Sequence, residues 1–198
     1  LKLLEQRGKF MQEASSNVEG KMSAILGMDA DTLHSLIDQV NGYVKIANYN
    51  TYGQLVISGE EQAVLELNAL ALEQGAKRAI LLNTSGPFHT ELMKEASEKL
   101  GEYIDPIEFK DPDYHLLLNT SGTYFEEGIK QEMVSQITNS VLFYQMIEQC
   151  LDDGIDTFIE IGPKKTLCGF VKKVNRKVTV CNVEDVESLE ATLKKLEE

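Results

Sequence analysis

The chain has 198 residues, 42% of them hydrophobic, and a formal charge of −13 from 19 basic and 32 acidic side chains. That length allows one α/β domain, or a compact core carrying a smaller subdomain, and the acidic balance argues against general nucleic-acid binding. No apolar run reaches membrane-spanning length, and Cys150, Cys168 and Cys181 are odd in number and irregularly spaced, so neither a disulfide framework nor a zinc site is expected and a reducing, cytoplasmic setting is.

The first stretch, Leu1 to Met11, reads as the middle of an amphipathic helix. It carries no initiator Met and no signal-peptide pattern, so the chain is expected to begin inside a longer polypeptide. Residues 21–83 form a self-contained pattern. Met22 to Gly27 predicts a strand, and Leu33, Leu36, Ile37 and Val40 then mark one helix face. Val44–Asn48 and Gln54–Ile57 flank Tyr49–Gly53 as a hairpin with a longer loop. Ser58-Gly59-Glu60-Glu61 fits a capping box opening a helix that Gly75 can end, and Arg78–Leu82 supplies a last strand. The order is βαββαβ, the ferredoxin-like arrangement.

An apolar strand then runs out through Ser85-Gly86-Pro87-Phe88-His89, which places an imidazole at the first position of an amphipathic helix lined by Leu92, Ala96, Leu100 and Tyr103. A strand-to-helix corner can hold a base rigidly at the lip of a cleft, and a neutral imidazole accepts a proton near physiological pH. A plain helix-capping role fits the same position equally well. Beyond it, Leu116–Asn119, Thr157–Ile161 and Val178–Cys181 predict strands, alternating with helices near 126–153, 163–174 and 185–197. Such alternation implies a parallel sheet.

The three histidines lie far apart without acidic residues at ligand spacing, so no metal is expected. No glycine-rich phosphate loop follows a strand, and no Ser lies in Gly-x-Ser-x-Gly. Arg7 by itself reads as a solvated or salt-bridged helix residue, and Asn48, Asn50 and Asn119 as turn and strand-end residues.

The ordered set Glu5-Gln6-Arg7-Gly8-Lys9-Phe10-Met11-Gln12-Glu13-Ala14, Asn48-Tyr49-Asn50 with Gly53 to Gly59, Ser85-Gly86-Pro87-Phe88-His89 and Glu160-Ile161-Gly162-Pro163 resembles the malonyl-CoA:acyl carrier protein transacylases of bacterial fatty acid synthesis. The resemblance implies an α/β-hydrolase-like core over 1–20 and 84–198 and a ferredoxin-like subdomain over 21–83. It implies a Ser-His ping-pong acyltransferase, with His89 as base and Arg7 as clamp for the malonyl carboxylate. Phe88 corresponds to the bulky residue that crowds a 2-methyl branch, with Met11, Asn48, Asn50 and Asn119 lining the cleft. The carbonyl that orients the base aligns with Leu142.

The family's oxyanion-hole segment and serine elbow both belong upstream of Arg7, where this chain has neither, so these residues alone are expected to be inactive. The implied partners are malonyl-CoA and acyl carrier protein, with no nucleic acid, membrane or cofactor and a monomeric state. The carrier in this pathway is acidic. The basic run from Lys164 to Lys177, above all Lys172 and Lys173, is the expected docking surface, although a solvated helix face reads equally well there. The contrasting possibility is a non-catalytic module that binds or regulates a carrier protein.

Overall fold

The computed structural model describes residues 1–197, an α/β chain that divides into two compact units, Leu1–Phe143 and Tyr144–Glu198. In the first, helix α1 (Lys2–Ser16) precedes strand β1 (Gly20–Leu26), helix α2 (Ala30–Ile37), strands β2 (Val44–Thr51) and β3 (Gln54–Glu60), helix α3 (Glu61–Glu73) and strand β4 (Arg78–Leu81). A 3₁₀ turn (Glu91–Met93) leads into α4 (Lys94–Ile104), and a long irregular link into α5 (Ile129–Ser135). The chain continues through α6 (Phe143–Asp152), β5 (Thr157–Ile161), α7 (Thr166–Val174), β6 (Thr179–Val183) and α8 (Val186–Leu196).

Strands β1–β4 form an antiparallel sheet in the order β2-β3-β1-β4. Alternation along the strands gives the sheet two apolar faces. Ile25, Ile46, Leu55 and Ile57 lie on one, packed with Leu33 and Leu36 of α2 and Val64 and Leu67 of α3. Met22, Ala24, Ala47 and Val56 lie on the other, against Leu82 and Phe88. Each fully buried Leu or Ile contributes about 1.5–3 kcal/mol, so the two-sided burial makes this sheet the rigid frame of the unit. A third cluster joins Ala14 of α1, Met93, Leu100 and Ile104 around α4, and Ile137, with Phe10, Met11 and Phe88 against it.

In the second unit β5 and β6 run parallel. The Glu160 carboxylate on β5 accepts the amide hydrogens of Leu167 (3.2 Å) and Cys168 (2.8 Å), capping the start of α7. Asp185 and Ser188 form a capping box at α8.

Several sequence expectations need correction. Ser58 does not cap α3: Ser58 and Gly59 continue β3, the N-cap is Glu60 without a side-chain bond, and the buried Ser58 hydroxyl has no partner. Pairing with β1 along its whole length keeps β3 extended through Glu60. Leu116–Asn119 is not a strand; its one ladder contact is an isolated bridge between Leu117 and Tyr124. The helix expected over 126–153 is two helices separated by 136–142. His89 does not open a helix: it sits in a turn with φ +62°, ahead of the 3₁₀ segment.

That turn is held from both sides. A Cβ on Gly20 of β1 would overlap the Pro87 ring, and one on Gly86 would overlap the side chain of Ser15, whose hydroxyl donates to the Met11 carbonyl at 2.6 Å. Gly86→Ala is therefore expected to destabilise the fold by about 1–3 kcal/mol in urea unfolding. Gly8→Ala, in the open middle of α1, should instead stabilise by about 0.5–1 kcal/mol. Equal effects would remove the close approach at Gly86 as the cause.

Candidate active site

His89 is presented by the Gly86-Pro87 turn, which the partly buried Phe88 ring locks between the sheet and the α1–α4 cluster. Its left-handed backbone is unfavourable for a non-glycine residue, by about 1–3 kcal/mol, and is maintained by the packing on either side. The imidazole Nδ1 lies 3.0 Å from the Gln136 carbonyl and 3.1 Å from that of Asn139. Carbonyl oxygens only accept, so Nδ1 carries hydrogen and donates to both, and the neutral ring keeps its lone pair on Nε2. Burial, opposed by those two carbonyls and assisted by the charges of Arg7 and Lys45, holds the imidazole below its ordinary pKa. At neutral pH this ring is an unprotonated acceptor.

Arg7 stands on the inward stripe of α1, one turn before Met11 and two before the buried Ala14. Its guanidinium is desolvated, which draws it below its usual value while leaving it charged. Among the described residues no carboxylate forms an ion pair with it. A partly buried guanidinium without an anion is costly, and a two-oxygen anion bound to it would relieve that cost.

The remaining predicted residues divide into two places. Asn48, half-buried on β2, is bridged in parallel fashion to Val141, with Tyr49 donating to the Val141 carbonyl and Val141 to that of Ala47, both at 2.8 Å. Asn50 follows two residues further along the same edge strand. The Asn119 carbonyl accepts the Leu142 amide at 2.7 Å. The carbonyls that meet His89 Nδ1 are those of Gln136 and Asn139 and not that of Leu142, because the chain turns between α5 and α6 and Leu142 lies beyond that turn, bonded to Asn119. The basic run lies in the second unit. There Lys172 donates to the carbonyls of Arg176 (3.2 Å) and Val178, closing the end of α7, and the Lys173 ammonium sits 5.9 Å from the Phe170 ring centroid.

Lys45, Gln136 and Asn139 carry no signal that pattern reading could use. Two of them act through main-chain carbonyls, and Lys45 occupies the polar register of an alternating strand. Among the described residues no group of three metal-ligating side chains comes together, and no helix is long and apolar enough to cross a membrane.

A carbonyl-fixed neutral imidazole and a guanidinium whose charge is felt at that ring, on an α/β frame, are the groups that general-base chemistry on an anionic substrate requires. No family model matches the chain. It is 45% identical to the malonyl CoA-acyl carrier protein transacylase of Bacillus subtilis (strain 168), over 98% of this chain and 63% of that protein. The crystal structure of the transacylase of the same name from Clostridium perfringens matches with a TM-score of 0.94 at 43% identity, covering 99% of this chain and 63% of the other. A further structure, a type II PKS acyl-carrier protein in complex with its malonyl-transacylase, matches with a TM-score of 0.91 at 33% identity, over 98% of this chain and 64% of the matched one. Along nearly all of its length the chain is thus homologous to the malonyl CoA-acyl carrier protein transacylases, and it spans about 63% of theirs.

Proposed function

We propose that the chain is the part of a malonyl CoA-acyl carrier protein transacylase that bears its base and its carboxylate clamp, acting in fatty acid biosynthesis. The observation that supports this most directly is the Nδ1-anchored, unprotonated His89, whose ring also feels the charge of the desolvated Arg7. In this reading His89 Nε2 takes the proton of a serine hydroxyl belonging to the part of the relatives' length that this chain does not span, as that oxygen attacks the malonyl thioester. The imidazolium returns the proton to the departing CoA sulfur, leaving malonyl-serine. The phosphopantetheine thiol of the carrier then gives its proton to Nε2 and attacks the ester, and the serine oxygen leaves with that proton. Arg7 holds the malonyl carboxylate through two charge-assisted bonds. Phe88, Met11, Asn48, Asn50 and Asn119 border the acyl group, and no metal or cofactor enters a step.

The architecture is read as a hydrolase-like core, 1–20 and 84–198, with a ferredoxin-like subdomain at 21–83. The βαββαβ order and the β2-β3-β1-β4 sheet support the subdomain. The protein is placed in the cytoplasm as a monomer. The stripe around Lys172 and Lys173 is assigned to the acidic carrier, with Lys173 the exposed charge and Lys172 largely engaged in closing α7. The testing experiment is a malonyl-transfer assay with malonyl-CoA and holo carrier protein, on a form of the protein that includes the serine. Lys173→Glu is expected to raise the KM for carrier protein about 10-fold and leave malonyl-CoA hydrolysis nearly unchanged. Equal loss of both activities would remove the docking assignment, and absence of any transfer in the unmutated protein would remove the transacylase reading.

A further inference from the structure

Lys45 is a half-buried lysine on β2 that no role in the proposed chemistry absorbs. Its ammonium donates to the Thr138 carbonyl at 3.4 Å, and burial holds it below the ordinary lysine range against the attraction of Glu91. Among the described residues no carboxylate stands within ion-pair distance of it. A desolvated ammonium resting on a neutral carbonyl is an expensive arrangement, and its location is informative. Thr138 lies between Gln136 and Asn139, the two residues whose carbonyls hold the His89 imidazole.

The same turn is stapled to β2 elsewhere. The Ser140 hydroxyl donates to the Ile46 carbonyl at 2.6 Å, and Val141 pairs with the β-bulge at Ala47. Ile137, fully buried, pins the turn from the other side into the cluster around α4. Lys45 is the one charged member of these fastenings.

We propose that Lys45 is a positioning residue for His89, tying the Gln136–Asn139 turn to strand β2 so that both carbonyls stay aimed at Nδ1. This rests on the reading of His89 as the base, because only a base needs its hydrogen fixed on Nδ1 and its lone pair left on Nε2. A surface lysine would leave that tautomer untouched.

The test is the tautomer of His89, read by long-range ¹⁵N–¹H correlation on the whole 198-residue chain at a pH where the ring is neutral. His34 and His115 are the only other imidazoles, so a His89→Asn spectrum assigns the signals. The unmutated chain is expected to show hydrogen on Nδ1. Lys45→Met should shift a measurable fraction to Nε2–H, Lys45→Gln a smaller fraction, and Lys45→Arg none. If Lys45→Met does not fold, Lys45→Gln decides. A neutral variant with the unmutated tautomer, or Lys45→Arg as perturbed as Lys45→Gln, overturns the proposal.

In a transfer-competent form of the protein, Lys45→Met should lower kcat about 10-fold with KM for malonyl-CoA unchanged, as expected for a misaimed base. A raised KM with an unchanged tautomer would make Lys45 a substrate contact instead and equally overturn positioning. Failure of the underlying reading looks different. His89→Ala would then retain full transfer, whatever the Lys45 variants do to the ring.

Discussion

His89→Asn is expected to reduce malonyl transfer by about 10²–10⁴-fold while changing global stability by less than about 1 kcal/mol. The activity loss is the contribution typical of a positioned general base, because Asn cannot accept and return a proton. The small stability change comes from opposing effects. Asn adopts the left-handed conformation more readily than His and relieves part of the strain at φ +62°, while the bonds to Gln136 and Asn139 are lost, at about 1 kcal/mol net. Urea unfolding and a transfer assay measure the two quantities side by side. Residual transfer above about a tenth would exclude His89 as the base.

The pH dependence of the unmutated protein has a definite sign. Burial, with Arg7 and Lys45, places the folded-state pKa of His89 below its ordinary 6.5, so the acid limb of kcat/KM should lie below the usual imidazole range. For stability, the unfolded chain takes up the proton first as pH falls. The contribution of His89 is therefore fully present above the unfolded pKa, near 6.5, and is lost as pH falls from there through the folded value. An acid limb above the ordinary range would contradict the desolvated site.

The βαββαβ order of 21–83 was legible because each element there obeys one period. Val44, Ile46, Leu55 and Ile57 alternate, and Leu33 and Leu36 recur at helical spacing, all toward one buried cluster. The second apolar face of that sheet was not legible, because Lys45, Asn48 and Ser58 on it carry polar side chains that alternation assigns to solvent. The break between α5 and α6 was equally hidden. Val134, Ile137, Val141 and Tyr144 keep helical spacing straight through it, and only Thr138-Asn139-Ser140 hints at the turn. Its cause is tertiary: Val141 is drawn into pairing with the edge of β2, and the carbonyls so released face His89. His89 and Arg7 could be named in advance because the roles proposed for them belong to side chains, set in motifs that resemble a known pattern. The groups that hold His89 act through the main chain, which any residue can supply.

Arg7→Ala is expected to separate anionic from neutral acyl groups. In the unmutated protein the guanidinium lies on the inward stripe of α1, desolvated and, among the described residues, without a carboxylate in ion-pair contact. Under the proposed function a malonyl group would supply that anion and an acetyl group would not, so acetyl would leave the charge unpaired and its binding would carry the full desolvation cost. Removing the guanidinium should lower kcat/KM for malonyl-CoA by about 10²-fold or more, the 2–5 kcal/mol scale of a truncated, desolvated charge pair. It should leave acetyl transfer unchanged or slightly raised. Arg7→Lys should recover only part of the malonyl rate, since an ammonium cannot span both carboxylate oxygens. Loss of the positive charge also raises the His89 pKa, so the acid limb of the variant should move to higher pH. Parallel losses for malonyl and acetyl, with the acid limb unmoved, would return Arg7 to an ordinary helix residue and leave the carboxylate without a partner in this chain.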